Sequence, residues 1–424
     1  MNAPVDVINY KNGVLYMEEM PLHPLTSKVG TPFYCYSTAA LRNAYLQYSR
    51  AFADRQALIC FAVKANCNPS LLRLFGQLGA GADVVSIGEL RFAMKAGIPA
   101  NKIVFSGVGK TKTELTEALK AGVLQINVES ESELKLLDSI AQSLSLVATV
   151  AIRVNPDVDA GTHKKITTGK YNTKFGVACE DALDMFMLAG NLPGVAARGL
   201  AVHIGSQLTS LEPFEAAFTK LAELVVELRT MGQTITRLDL GGGLGVKYHN
   251  ENIPAMSAYA AMVKKITDPL KVQLIFEPGR SLVASGGVLV TEVIHTKQNP
   301  ERRFAIVDAG MNDFKRTALY DAIHRIVPLV EPKLSNKYSY DVVGPVCEST
   351  DTFATDVLLP ELKSGDRLAL LDAGAYGAVL SSNYNVRLTA PEILVDGAKF
   401  AVIRKRDTYD ELLAAYRQPN WLGL

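Results

Sequence analysis

Short, strongly apolar runs alternate with longer amphipathic stretches through the middle of the chain. Eight such runs recur: ALICFAVKA (57–65), GADVVS (81–86), KIVFSG (102–107), LQINVES (124–130), TVAIRVN (149–155), GLAVHIGS (199–206), RLDLGGG (237–243) and QLIFEPG (273–279). They are nearly continuous in apolar residues, as strands covered on both faces should be. Helical patterns lie between them. Residues 69–78 set Leu71, Leu72, Leu74, Phe75 and Leu78 on one stripe, and 88–96, 113–121 and 132–143 follow suit. The clearest helix is 214–230, with apolar residues at 214, 217, 218, 221, 224, 225 and 228. Eight strand–helix units in about 230 residues predict an α/β fold, a (β/α)8 TIM barrel. A doubly wound sheet uses the same units but seldom needs eight in succession.

The pattern changes after Gly279. SGGVLVTEVIHTK, RRFAIVDAG, YDVVGPV, DRLALLDAG and EILVDGAKFAVIRK read as strands bounded by Gly, Pro and Asp. Helix signals stay sparse until 408–417. The first thirty residues, which include GVLYMEEMPLHPL, also read as strand and loop. The expected organisation is a barrel over 31–279 and a mainly β domain, sandwich- or barrel-like, built from 280–424 together with 1–30.

Composition narrows the classes. The 424 residues carry 44 Lys and Arg against 43 Asp and Glu, a net charge of +1 that argues against a nucleic-acid partner. With 48% apolar and 21% charged residues, the chain is not a disordered one. The five cysteines, Cys35, Cys60, Cys67, Cys179 and Cys347, are odd in number and widely spaced, which suits a reducing compartment. Cys60 and Cys67 do not have the spacing of a metal pair, and no metal is assigned. The start, MNAPVDVINY, lacks a basic region followed by an apolar run, and no stretch approaches ~18 consecutive apolar residues. The expectation is a cytoplasmic protein with no membrane partner.

A barrel places its chemistry at the C-terminal ends of its strands. Strand 1 ends on Lys64, strand 2 on Asp83 and Ser86, strand 6 on His203 and Ser206. Strand 7 ends on Gly241, Gly242 and Gly243, and strand 8 on Glu277 and Arg280. A lysine at the end of an apolar strand is partly desolvated, which favours the neutral amine that attacks an aldehyde. It can equally be a snorkelling side chain or an ion-pair partner. LDLGGGLG offers consecutive backbone N–H groups as a phosphate nest, or else a tight turn. It is not a dinucleotide fingerprint, because the G-x-G-x-x-G spacing fails at Val246. Glu277, buried, needs a partner, either Arg280 or the ring nitrogen of a cofactor. An amine, a phosphate cradle and an acid for a pyridinium nitrogen are the requirements of pyridoxal 5′-phosphate.

Seven segments carry a resemblance: FAVKANCNPSLLRLFGQLGAGADVVSIGEL (61–90), HIGSQ (203–207), LDLGGGLG (238–245), EPGR (277–280), RTALYDAIH (316–324), GPVCESTD (344–351) and DAGAYG (372–377). They closely resemble the diaminopimelate decarboxylase family, which belongs to the alanine-racemase-like barrel class of pyridoxal-phosphate enzymes. The similarity runs in order over nearly the whole chain. It implies Lys64 as the residue covalently joined to the cofactor, His203 against the ring face, and Glu277 on the ring nitrogen. It implies a phosphate held by Ser206, Gly242, Gly243 and the segment Glu277, Pro278, Gly279 and Arg280, with Tyr376 adding a hydroxyl and Asp83 completing the cofactor set.

The resemblance further implies meso-2,6-diaminopimelate as substrate, L-lysine and CO2 as products, and a place as the last step of lysine biosynthesis. Arg280, Arg316, Tyr320 and Tyr376 match the family's substrate positions, and Glu348 would hold the distal ammonium; an ordinary solvated charge is the plain alternative for Arg316 and Glu348. Cys347 matches the residue that returns a proton after CO2 leaves, reaching into the partner subunit of a homodimer with shared sites. The catalytic set is then Lys64, Cys347, His203 and Glu277. Residues 161–176 resemble a family loop that closes over substrate, or are a solvated loop. RTALY departs from many relatives in lacking a proline after the arginine, which affects only local rigidity.

Rivals on the same scaffold are decarboxylases of ornithine, lysine, arginine or carboxynorspermidine. Two arginines facing a distal ammonium would repel it, which favours diaminopimelate. A racemase would need a second acid–base group on the opposite face. A non-catalytic relative would be expected to lose Lys64 or Cys347, and both are present.

Overall fold

In a computed structural model, which describes residues 7–159, 169, 173–332 and 336–422, the eight apolar runs become eight parallel strands. They are β1 (Ala57–Ala62), β2 (Gly81–Val84), β3 (Ile103–Phe105), β4 (Gln125–Val128), β5 (Ala148–Asn155), β6 (Val195–Val202), β7 (Arg237–Asp239) and β8 (Gln273–Phe276). Each pairs in parallel with the next. β8 then pairs with β1 through Leu274↔Ala57 to Phe276↔Ile59, which closes the barrel. Nearly every strand residue is buried, which explains why the runs show no alternation.

The first helix starts at Pro69 as the stripe suggested, three others start one residue earlier and Glu212–Thr230 two residues earlier; polar caps set the beginnings of the first four. Asn68 accepts from the Ser70 N–H ahead of Pro69–Gln77. Ser86 accepts from the Glu89 N–H ahead of Ile87–Lys95, and Ser130 from the Glu133 N–H ahead of Glu131–Ser143. Thr111 and Glu114 form a reciprocal capping box at Lys112–Ala121. Such caps satisfy the first free N–H groups of a helix and fix where each strand hands over to the next element. Helices Cys179–Gly190, Glu212–Thr230 and Met256–Thr267 follow β5, β6 and β7. The longest of them buries Phe214, Ala217, Phe218, Leu221, Leu224, Val225 and Leu228, the seven positions of the stripe.

The chain divides into two units, 41–283 and 1–40 with 284–424. The second is mainly β. Its large sheet runs Thr352–Pro360, Lys337–Val343, Arg303–Val307, Gly287–Gln298, Phe33–Ser37, Glu392–Asp396 and Lys399–Arg404, with Arg367–Leu370 branching from Gly287–Gln298 and pairing in turn with Ile326–Pro328. The N-terminal segment joins this unit: Leu15, Met17, Leu22 and Leu25 share a core with Val288, Val290, Leu329, Ala369, Ile393 and Val395. One boundary moves. Strand Phe33–Ser37 falls inside the 31–279 range expected of the barrel, yet it pairs antiparallel with Gly287–Gln298 and parallel with Glu392–Asp396. Its five residues are all buried, so the apolar run FYCYS belongs to a central strand of the β unit. Among the described residues no helix is long and apolar enough to cross a membrane.

Candidate active site

The C-terminal ends of β1, β2, β6, β7 and β8 bring together the barrel residues singled out in the sequence. Lys64 lies in a single 3-10 turn, Val63–Ala65, directly after β1. Its Nζ is 2.7 Å from Asp83 Oδ2 on β2, and Asp83 is fully buried. The amine is therefore held in an ion pair, a different environment from the neutral, desolvated amine expected from strand position alone. Its side chain remains about a third exposed (35%), so it is reachable from outside.

His203 follows β6. Its Nδ1 accepts the Gly242 N–H at 3.3 Å, which leaves the proton of the neutral ring on Nε2. Burial, with the positive charges of Lys64 and Arg153 nearby, pushes this imidazole well below its usual range, so it is uncharged at neutral pH.

The glycine loop after β7 is packed too tightly for side chains. A Cβ on Gly242 would lie 2.2 Å from the Glu277 carbonyl oxygen, and one on Gly243 2.6 Å from that of Gly205. Gly243 also has φ +113°, which L side chains rarely adopt. Gln207 ties the neighbouring loop to this one: its amide donates to the Val246 carbonyl at 2.6 Å and accepts the Val246 N–H at 3.1 Å. Arg280, after β8, turns its terminal nitrogens to Ser206 Oγ (3.1 Å) and the Tyr248 hydroxyl (2.8 Å). Arg280 and Glu277 are each 7% exposed. Burial and the neighbouring Asp239 and Asp83 carboxyls push Glu277 well above the usual carboxylate range.

Behind these groups lies a polar layer that the motif reading missed. Glu129 Oε1 takes Arg153 Nη1 (2.9 Å) and the Gly107 N–H (3.2 Å), and its Oε2 takes the Gly176 N–H (3.0 Å). Lys110 Nζ meets Glu133 Oε1 at 2.8 Å, both side chains almost wholly enclosed. Gln125 and Asn127 on β4 and Asp239 on β7 are also buried. The signal was present as polar residues inside otherwise apolar runs. Gln125, Asn127 and Glu129 recur with the two-residue period of one strand face.

The remaining candidates belong to the mainly β unit. Arg316 opens the short helix Arg316–Tyr320 and is 4% exposed. Its Nε donates to His324 Nε2 at 3.1 Å, and His324 Nδ1 lies 2.9 Å from the Leu371 carbonyl, a link that sequence reading did not supply. Tyr320 is half-buried. Cys347 and Glu348 are exposed, and the Tyr384 hydroxyl donates to Glu348 Oε1. Their turn is pinned by Asp351, whose two oxygens accept the Met311 and Val346 N–H groups, each at 2.6 Å. Tyr376 is held at φ +56°, a costly conformation for a tyrosine and one that clusters at working sites. Most of the 161–176 loop lies outside the described residues.

Comparison with known proteins decides the family. Residues 38–284 match the model described as "Pyridoxal-dependent decarboxylase, pyridoxal binding domain". A diaminopimelate decarboxylase of Zymomonas mobilis is 46% identical over 97% of this chain and 99% of its own. The chain belongs to the diaminopimelate decarboxylase family. The enzyme of Aquifex aeolicus is 45% identical over 96% of each chain. Among solved structures, the diaminopimelate decarboxylase of Helicobacter pylori complexed with L-lysine superposes with a TM-score of 0.90 at 44% identity, covering 95% of this chain and 100% of the other. That of M. jannaschii, also with L-lysine, gives 0.94 at 38% identity, covering 98% and 99%.

The residues of this barrel suit pyridoxal phosphate. Lys64 is an accessible amine. Its charge is matched by Asp83, and among the described residues the buried Asp239 and Glu277 carboxyls make no ion pair, so that cluster is short of a positive charge. A ring nitrogen carrying a proton would supply that positive charge. The side-chain-free loop at Gly242 and Gly243 lets backbone N–H groups approach an anion closely.

Proposed function

We propose that this chain removes CO2 from one amino-acid end of meso-2,6-diaminopimelate and releases L-lysine, with pyridoxal 5′-phosphate as cofactor. The observation that carries this is the meeting of amine, buried acid and side-chain-free glycine loop on one end of a barrel. The bound cofactor would act as an electron sink for the charge left on carbon when CO2 departs.

The chain's own groups do the rest. Lys64 supplies the amine for the cofactor's aldehyde, and Asp83 orients it. Glu277 would pair with the ring nitrogen, and neutral His203 would lie against the ring without adding a competing charge. Gly242, Gly243, Ser206 and the 277–280 turn, Pro278 and Gly279 included, hold the phosphate, with Tyr376 contributing its hydroxyl. Arg280, Arg316 and Tyr320 recognise the distal carboxylate, for which a planar guanidinium is well shaped. Glu348 holds the distal ammonium. Cys347 Sγ–H delivers the proton that replaces CO2, acting in the partner's site of a homodimer. The enzyme works in the cytoplasm, where its thiols stay reduced.

The test is direct. The purified chain with the cofactor should show a visible absorbance band that borohydride bleaches, and should convert meso-diaminopimelate to L-lysine. Lys64→Ala should lose both the band and the turnover. Full activity in that variant would overturn the assignment.

A further inference from the structure

Asp239 and Glu277 sit at the ends of the adjoining strands β7 and β8, and Asp83 on β2, beyond β1; they are 1%, 7% and 0% exposed. Lys64 answers Asp83. Asp239 and Glu277 instead face each other within hydrogen-bonding reach. A frame of neutral groups fixes how they meet. Gln125 Nε2 donates to Asn127 Oδ1 at 2.8 Å, so Asn127 presents its NH2 inward. That NH2 donates to Asp239 Oδ2 and to Ser106 Oγ, each at 3.0 Å. Ser106 Oγ, already accepting, turns its own proton to Glu277 Oε1 at 3.4 Å. The Gly241 N–H meets Asp239 Oδ1 at 3.0 Å.

We propose that Asp239 is a positioning residue for the decarboxylation, sharing one proton with Glu277 so that the pair presents a single negative charge to the cofactor's ring nitrogen. This rests on the reading of the site as pyridoxal-dependent. Two carboxyls in contact inside a barrel cannot readily both ionise, so their two ionisations move apart. Over the interval between them the pair keeps one charge, matched to one ring N–H. A lone buried glutamate would lose its charge simply by taking up a proton. Burial pushes Asp239 up to about 6 and Glu277 higher, in line with this splitting. The other titratable groups facing the pair are Asp83, Lys64 and the Cys60 thiol; Ser106, Asn127 and Gln125 are neutral.

Asp239→Asn removes the charge while its amide oxygen can still accept the Gly241 N–H. With cofactor isotopically labelled at the ring nitrogen, magnetic resonance reads that atom's protonation against pH in the holoenzyme. The variant's midpoint should fall by at least about one pH unit relative to the unsubstituted protein. An unchanged midpoint overturns the proposal, even if cofactor affinity drops, because a purely structural aspartate would loosen the glycine turn without moving the titration.

A second measurement needs no variant. In the cofactor-free chain with labelled carboxyl carbons, Asp239 and Glu277 should titrate in two linked steps, the lower near 6. Two independent steps in the ordinary carboxylate range would contradict the shared proton. If the unsubstituted chain forms no borohydride-sensitive band, the functional reading fails and the proposal falls with it. If that chain loads normally and only the titrations disagree, Asp239 alone loses its role.

Discussion

Cys347 is an exposed thiol on a turn whose geometry is set by Asp351. A general acid in a transition state is typically worth about 100- to 10,000-fold in rate. Cys347→Ala should therefore keep the absorbance band and a near-normal KM while kcat falls within that range. Steady-state kinetics with meso-diaminopimelate check this, and an unchanged kcat would exclude Cys347 as the proton donor. Lys64 shows where position alone misleads. A strand-end lysine suggested an uncharged amine, but the neighbouring strand supplies Asp83 as an ion-pair partner. That partner is invisible without knowing which strands adjoin. His203, in contrast, is made neutral by burial and by two nearby cations, Lys64 and Arg153, from two other strands.

At the scale of elements, the strands and their handover loops carry the site. Continuous apolar runs revealed the strands, and helical stripes revealed the helices to within one or two residues of their true starts. The caps Ser86, Thr111 and Ser130 account for that offset. The polar layer was less legible, because single polar residues inside apolar runs look like noise until the barrel closes and stacks them. Gln125 and Asn127 illustrate this, while Lys110 and Glu133, outside any apolar run, tie the loop after β3 to the helix Glu131–Ser143. Lys110→Ala would leave Glu133 buried and uncompensated, which costs about 3–5 kcal/mol. Chemical denaturation should show that loss; a change near zero would mean the pair is replaced by water at no cost. Strand Phe33–Ser37 was misplaced for a related reason. Its apolar run fits either unit, and only its register with Gly287–Gln298 and Glu392–Asp396 decides.

At the scale of the whole molecule, a net charge of +1 leaves no global field to attract a substrate bearing both signs. On the proposed function, affinity and selectivity would rest on a few placed groups, among them Arg316, bonded to His324, and Glu348, bonded to Tyr384. The proposed sharing of sites between subunits has a quantitative consequence. Lys64→Ala and Cys347→Ala chains, mixed and allowed to exchange partners, should regain about a quarter of full activity, because half the dimers are hybrids with one complete site each. No regain would place both residues in a site made by one chain. The most direct test of the central claim is CO2 release measured in parallel from meso-diaminopimelate, L-lysine, L-ornithine and L-arginine. The account predicts release from meso-diaminopimelate with L-lysine accumulating, and little from the three substrates that lack a distal carboxylate. Preferential decarboxylation of any of those three would contradict it.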